Sequence, residues 1–230
     1  MPAGLALLQT ARLSREPEVK GFLRAALPLG ASQVMVVGAG RANTVMVSVI
    51  ASVGAAAAFE GAWRLYQLGQ YVAGGLATAV APLIAHALGS RQDNLARREI
   101  RRAATAVAAL GLSAMVALLV LDDPATRLLF GADFGPRVAS ALTPLAIVTP
   151  LAFVAFLATV VLAVERRGRR LILAANALAT AINVTLVIIL VPTEGAWGAT
   201  VAAAAGVGVA STALVACLPA ATRRARAEAG

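Results

Sequence analysis

Six stretches of this chain reach or exceed the length a bilayer-crossing helix needs while carrying one charge or none. Uncharged runs cover 65–90, 103–121, 138–164, 171–193 and 195–222, and a sixth, 25–59, is interrupted only by Arg41. A helix rising 1.5 Å per residue needs about 20 apolar residues to cross a hydrocarbon core of about 30 Å. Lipid offers no partner to backbone N–H and C=O groups, so such runs must satisfy them internally as helices. The expected fold is therefore all-α, a polytopic membrane bundle. Its helices are expected near 24–51, 62–89, 102–121, 138–164, 170–191 and 196–219. They form one membrane lobe over 22–219, between an N-terminal segment, 1–21, and a basic tail, 220–230.

The positions of the arginines set an expected orientation. With Arg24 on the cytoplasmic side, sixteen basic residues fall on inner connections and two, Arg127 and Arg137, on outer ones. The inner sets are Arg12, Arg15, Lys20 and Arg24; Arg91, Arg97, Arg98, Arg101 and Arg102; Arg166, Arg167, Arg169 and Arg170; and Arg223, Arg224 and Arg226. That asymmetry is the positive-inside pattern, and it predicts a multi-pass protein of the cytoplasmic membrane with both termini cytoplasmic. Glu60, Asp122, Asp123, Asp133 and Glu194 then fall in the outer connections 51–63, 122–137 and 192–197, with Trp63 and Trp197 at outer helix ends. The stretch 91–102 is expected either to lie on an anionic inner leaflet or to be a solvated loop. Met1 to Leu13 shows no signal-peptide pattern, so the first span is expected to direct insertion.

The net charge of +9 would suggest nucleic acid in a soluble protein. Here the basic residues lie between apolar runs and aromatic residues are only 4%, too few for a base-stacking platform, so no nucleic-acid partner is expected. A lone cysteine, Cys217 in an apolar run, gives neither an intramolecular disulfide nor a cysteine metal cluster. No phosphate loop, zinc-protease, nucleophile-elbow or paired intramembrane carboxylate pattern occurs, so neither an enzyme nor a cofactor or metal site is expected.

Polar residues inside spans are costly in lipid and point to partners or watery cavities. Arg41 lies about 25 Å along its helix from Arg24, in the outer half of the membrane, and shares a face with Thr44, Ser48 and Ser52. On the next helix, Glu60, Arg64, Gln67, Tyr71 and Thr78 share a face that Pro82 continues. Two such faces line a candidate cleft whose guanidinium forks suit phosphate. Arg64 either lines that cleft or pairs with Glu60 four residues earlier. Asn176, Thr180 and Asn183 form a third stripe, read as interhelical hydrogen bonding, and His86 is read as packing near an inner helix end. Prolines 28, 82, 144 and 150 fall inside spans, where bends are expected.

Four stretches carry a resemblance to a known family. They are FLRAALPLGAS (22–32), VGAAAAFEGAWRLYQLGQYVAGGLATAVAPLIAHALG (53–89), LLFGADF (128–134) and ERRGRRLILAANALATAINVTLVIILVPTEGAWGAT (165–200). They hold an A-x-R-L-x-Q, an A-x-x-P-x-x-A, an F-G-x-x-F and a P-x-x-G-x-x-G-A in order. Together they resemble the C-terminal lobe of oligosaccharide-lipid flippases of the multidrug/oligosaccharidyl-lipid/polysaccharide exporter superfamily, lipid II flippases included. The resemblance implies one lobe of a two-lobed transporter with a central cationic cavity. Its substrate would be a polyprenyl-diphosphate-linked oligosaccharide, and its partners membrane lipids and a second lobe or a homo-oligomeric copy. By the same resemblance Arg64 is a cavity arginine, Arg41 occupies a cavity-lining position of the lobe's first helix, and Thr44, Ser48, Gln67 and Tyr71 complete the candidate substrate site. Two other functions are open: a small-molecule or drug exporter lobe, for which an acidic residue within the membrane is expected and none is read here, and a non-transporting scaffold or remnant in polysaccharide assembly.

Overall fold

Long runs of alanine, leucine and valine without charge fold as helices, and the structure, a computed structural model, consists of little else. It describes residues 15–89, 93–164 and 166–227. Among these there are six helices and no strand: α1 (Arg15–Ile50), α2 (Val53–Gly89), α3 (Asp93–Val120), α4 (Asp122–Phe130), α5 (Gly135–Ala163) and α6 (Arg166–Ala227).

The last helix is two in one. Gly195 sits at φ 56°, ψ −126°, a backbone region that essentially only glycine enters, and there the chain doubles back. Packing of Gly206 against the carbonyl of Ala179 and the side chain of Asn183 shows the two arms of α6 lying antiparallel. A methyl at Gly206 would lie 2.9 Å from that carbonyl oxygen, so the close approach needs glycine.

Among the described residues, four helices are long and apolar enough to cross a membrane by length and composition: Ala26–Ile50, Arg98–Val120, Gly135–Ala163 and Arg167–Leu218. The fourth is 52 residues long and is the one divided at Gly195. With its two arms counted separately and α2 added, the long rods number six, as the uncharged runs imply. α2, 37 residues long, supplies the remaining rod: Glu60 and Arg64 lie in its first half, and the rest of the helix falls in the uncharged run that begins at 65.

α5 is the central post. Of its most apolar window 56% is buried inside the chain, against 11% for α1 and for α3. One core lies where α1, α2, α5 and both arms of α6 meet, around Val47, Phe59, Tyr66, Leu142, Leu145, Val187 and Val191. A second gathers Leu162, Ile172 and Leu214 near the other end of α5. The peripheral helices α1 and α3 expose wide apolar faces, which suits lipid or another membrane segment rather than water.

Three connections differ from expectation. α2 begins at Val53, well before residue 62, so 51–63 is not an outer loop: only Ala51 and Ser52 turn the corner from α1. Trp63 is accordingly no helix-end residue. It stacks on Phe59 (centroids 6.2 Å apart) and leans on Tyr66 (5.4 Å) within the bundle. The 122–137 connection holds the short helix α4, started by Asp122 and Asp123 and braced by an Asp123–Arg127 pair at 2.9 Å. From Asp93 onward the 91–102 stretch is the helical start of α3, not a loop. Pro28, Pro82, Pro144 and Pro150 all lie inside helices.

Candidate charged cleft between the first two helices

The two-residue corner determines what meets across α1 and α2. In an antiparallel pair, residues equally far from the turn face each other, and Thr44 and Glu60 are about equally far from Ala51–Ser52. Thr44 Oγ1 donates to Glu60 Oε2 at 2.9 Å. One turn further from the corner, an Arg41 guanidinium nitrogen lies 3.5 Å from Glu60 Oε1. From α2 itself, Arg64 Nε donates to the same oxygen at 3.1 Å, four residues on. One carboxylate thus gathers two guanidiniums and a hydroxyl. At 1.5 Å per residue the cluster lies about 10–18 Å along the helices from the corner, which is inside the apolar thickness if the corner marks the interface.

The arrangement is charged and open on one side. Glu60 is mostly covered, its side chain 21% exposed, while Arg41 and Arg64 are 76% and 70% exposed. Each guanidinium has five N–H donors, and the carboxylate engages one edge of each. The cluster carries a net charge of +1, with spare donors facing away from the bundle. Behind it, Trp63 packs over Gly40 of α1, and Phe59 and Tyr66, buried in the core shared with α5 and α6, hold the rotation of α2.

The other candidate cavity residues stand apart from this cluster. Ser48 satisfies itself on the carbonyl of Val45 (2.7 Å). Gln67 is half-buried and Tyr71 exposed on the next two turns of α2, and no hydrogen bond joins either to the arginines. The structure therefore brings Arg41, Thr44 and Arg64 together and leaves Ser48, Gln67 and Tyr71 as neighbours along the two faces. The sequence reads Glu60 both as part of the connection 51–63 and as sharing a helical face with Arg64, and in the structure it lies inside α2 and pairs with Arg64. The signal for it was Ala55–Ala58, a strong helix-forming run with nothing to stop a helix before Glu60.

The third polar stripe is glue. Asn43 and Asn183 exchange amide hydrogen bonds at 3.2 and 3.1 Å, fully buried, and Asn176 Nδ2 donates to Ser32 Oγ at 2.6 Å. These contacts fix α1 against the first arm of α6. Among the described residues no group of three histidine, cysteine, aspartate or glutamate side chains gathers in a way that could hold a metal. The side chain of His86 lies outside the described residues.

The MatE family model matches residues 28–189. No curated protein matches. The crystal structure of the Vibrio cholerae MATE transporter VcmN in its bent form superposes with a TM-score of 0.78 at 17% identity, over 93% of this chain and 49% of that one. The crystal structure of a MATE proline-to-alanine mutant gives 0.76 at 20% identity, over 92% and 47%. The chain spans about half the length of the transporters it matches, and its fold is that of one of their lobes.

Proposed function

The chain belongs to the MatE family of membrane transporters, and on that premise we propose that it is one lobe of a flippase for a polyprenyl-diphosphate-linked oligosaccharide, working with a second lobe or a second copy of itself. Its orientation follows the arginine asymmetry, with both termini cytoplasmic. The observation that carries the proposal is the shared carboxylate: Glu60 holds Arg41 and Arg64 side by side with most of their donors unspent. A diphosphate head group presents several anionic oxygens at spacings that two guanidinium forks engage by paired, charge-assisted hydrogen bonds. Rocking of two lobes about such a site would carry the head group between leaflets, with binding favouring one conformer over the other.

One observation favours a second reading, a small-molecule exporter lobe. Glu60 stands within α2 rather than in a loop, so the lobe does hold an acidic residue inside its helices. A cationic substrate would compete with the arginines for that carboxylate.

The two readings separate by binding to the chain in lipid nanodiscs. The double variant Arg41→Ala/Arg64→Ala is expected to insert normally and lose binding of the diphosphate-linked oligosaccharide; unchanged binding removes the mechanism. Binding of a lipophilic cation that rises in the same variant and vanishes in Glu60→Gln would establish the exporter reading instead.

A further inference from the structure

α3 carries two hollows on one face. Arg98, Arg101, Arg102 and Thr105 line a shallow cavity of about 350 Å³ at the start of its apolar span. Further along, Leu112, Ser113, Val116, Ala117, Val120 and Leu121 line an apolar hollow of about 540 Å³. At 100° per residue, Arg98, Arg101, Arg102, Thr105, Leu112 and Val116 fall within about 60° of one line along the helix, and the second hollow widens from it to one side through Ser113, Ala117 and Leu121. Between the hollows that line passes over Thr105 and Ala109, small and exposed.

The charge in the first hollow is only partly used. Arg102 pairs with Glu99 at 3.1 Å, but Arg98 and Arg101 make no ion pair or hydrogen bond among the described residues. Basic residues near a span end are ordinary in membrane proteins. That pattern does not require them to converge on one cavity, in register with an apolar trough on the same helix face. Ten residues separate Arg102 from Leu112, a rise of about 15 Å, which is half the thickness of a hydrocarbon core. A phosphate held by the arginines would therefore place its acyl chains along the small residues, with their ends at the mouth of the apolar hollow.

We propose that this face of α3 is a binding site for an anionic phospholipid of the surrounding bilayer, its phosphate on Arg98 and Arg101 and its chains along Thr105 to Leu112. It is separate from the cleft between α1 and α2 and does not rest on the flippase reading.

Native mass spectrometry of the whole chain, released from bilayers mixing phosphatidylglycerol and phosphatidylcholine equally, tests it. Retained phosphatidylglycerol is expected to exceed phosphatidylcholine about tenfold, and Arg98→Gln/Arg101→Gln is expected to erase the preference, because two charge-assisted contacts are lost. Val116→Trp, which fills the mouth of the trough, is expected to reduce retention of long-chain but not short-chain phosphatidylglycerol. Equal retention of the two lipids overturns the proposal, as does a preference that survives the arginine substitutions or an indifference to chain length. Displacement of the lipid by inorganic phosphate at equal concentration would mark a site for free phosphate and would equally overturn it.

Discussion

α1 makes two polar contacts of opposite kinds. Toward α6 it offers Asn43 and Ser32, whose partners Asn183 and Asn176 come from the far side of the sequence; the Asn43–Asn183 pair is buried, neutral and reciprocal. Toward α2 it offers Arg41 and Thr44, whose partner Glu60 is also claimed by Arg64; this cluster is charged, and both guanidiniums stay open. Asn43 and Asn183 each spend a donor and an acceptor on the other and are buried, so that contact serves to hold helices together. The arginine cluster keeps donors in reserve and exposes them. A polar group inside a membrane bundle is a site only when its bonding capacity exceeds what the fold uses.

Substitutions can break that comparison in order of expected effect. The largest is Arg64→Glu, which sets a second carboxylate beside Glu60. It is expected to lower affinity for a diphosphate-headed lipid about a hundredfold or more, measured by titration in nanodiscs, since paired charge-assisted contacts are replaced by repulsion. Next is Glu60→Ala, which leaves both arginines in place but without the carboxylate that positions them. A loss of about tenfold is expected in the same titration, smaller than for removing an arginine because the binding groups remain. Asn43→Leu is expected to leave binding unchanged and to cost about 1 kcal/mol of stability in a denaturation assay, through the orphaned Asn183 amide. Adding Asn183→Leu is expected to recover part of that loss, since two apolar partners leave nothing unsatisfied. The smallest effect belongs to Thr44→Val, which removes one hydroxyl contact to Glu60: a change of about threefold or less in affinity.

The parts of the fold that can be read from the chain are those set by local chemistry. Uncharged runs of bilayer length mark the six rods, and the P-x-x-G at 192–195 stands where the last two meet. α4 was missed, although Asp122 and Asp123 at its start and Arg127 four residues after Asp123 suit a helix dipole. The start of α2 reads too late because a charged residue beside an apolar run looks like the edge of a loop. The Arg64–Glu60 pair is still legible at its i, i+4 spacing, but the contact of Thr44 with Glu60 is not while 51–63 is read as a loop. Once the corner is known to be only Ala51 and Ser52, the meeting of Thr44 with Glu60 follows from counting outward on both helices. The contacts of Asn43 and Ser32 could not be counted in this way. Their partners lie 140 and 144 residues away, and only the packing of α6 onto α1 brings them together.

The central claim is that the Arg41–Glu60–Arg64 cluster binds an anionic head group rather than merely closing on itself. The most direct test compares the whole chain's affinity in nanodiscs for a polyprenyl diphosphate with that for the polyprenyl alcohol of the same chain length. The diphosphate is expected to bind about a hundredfold more tightly, with the difference vanishing in Arg41→Ala/Arg64→Ala. Equal affinities for the two lipids, or a difference that persists without the arginines, would contradict it.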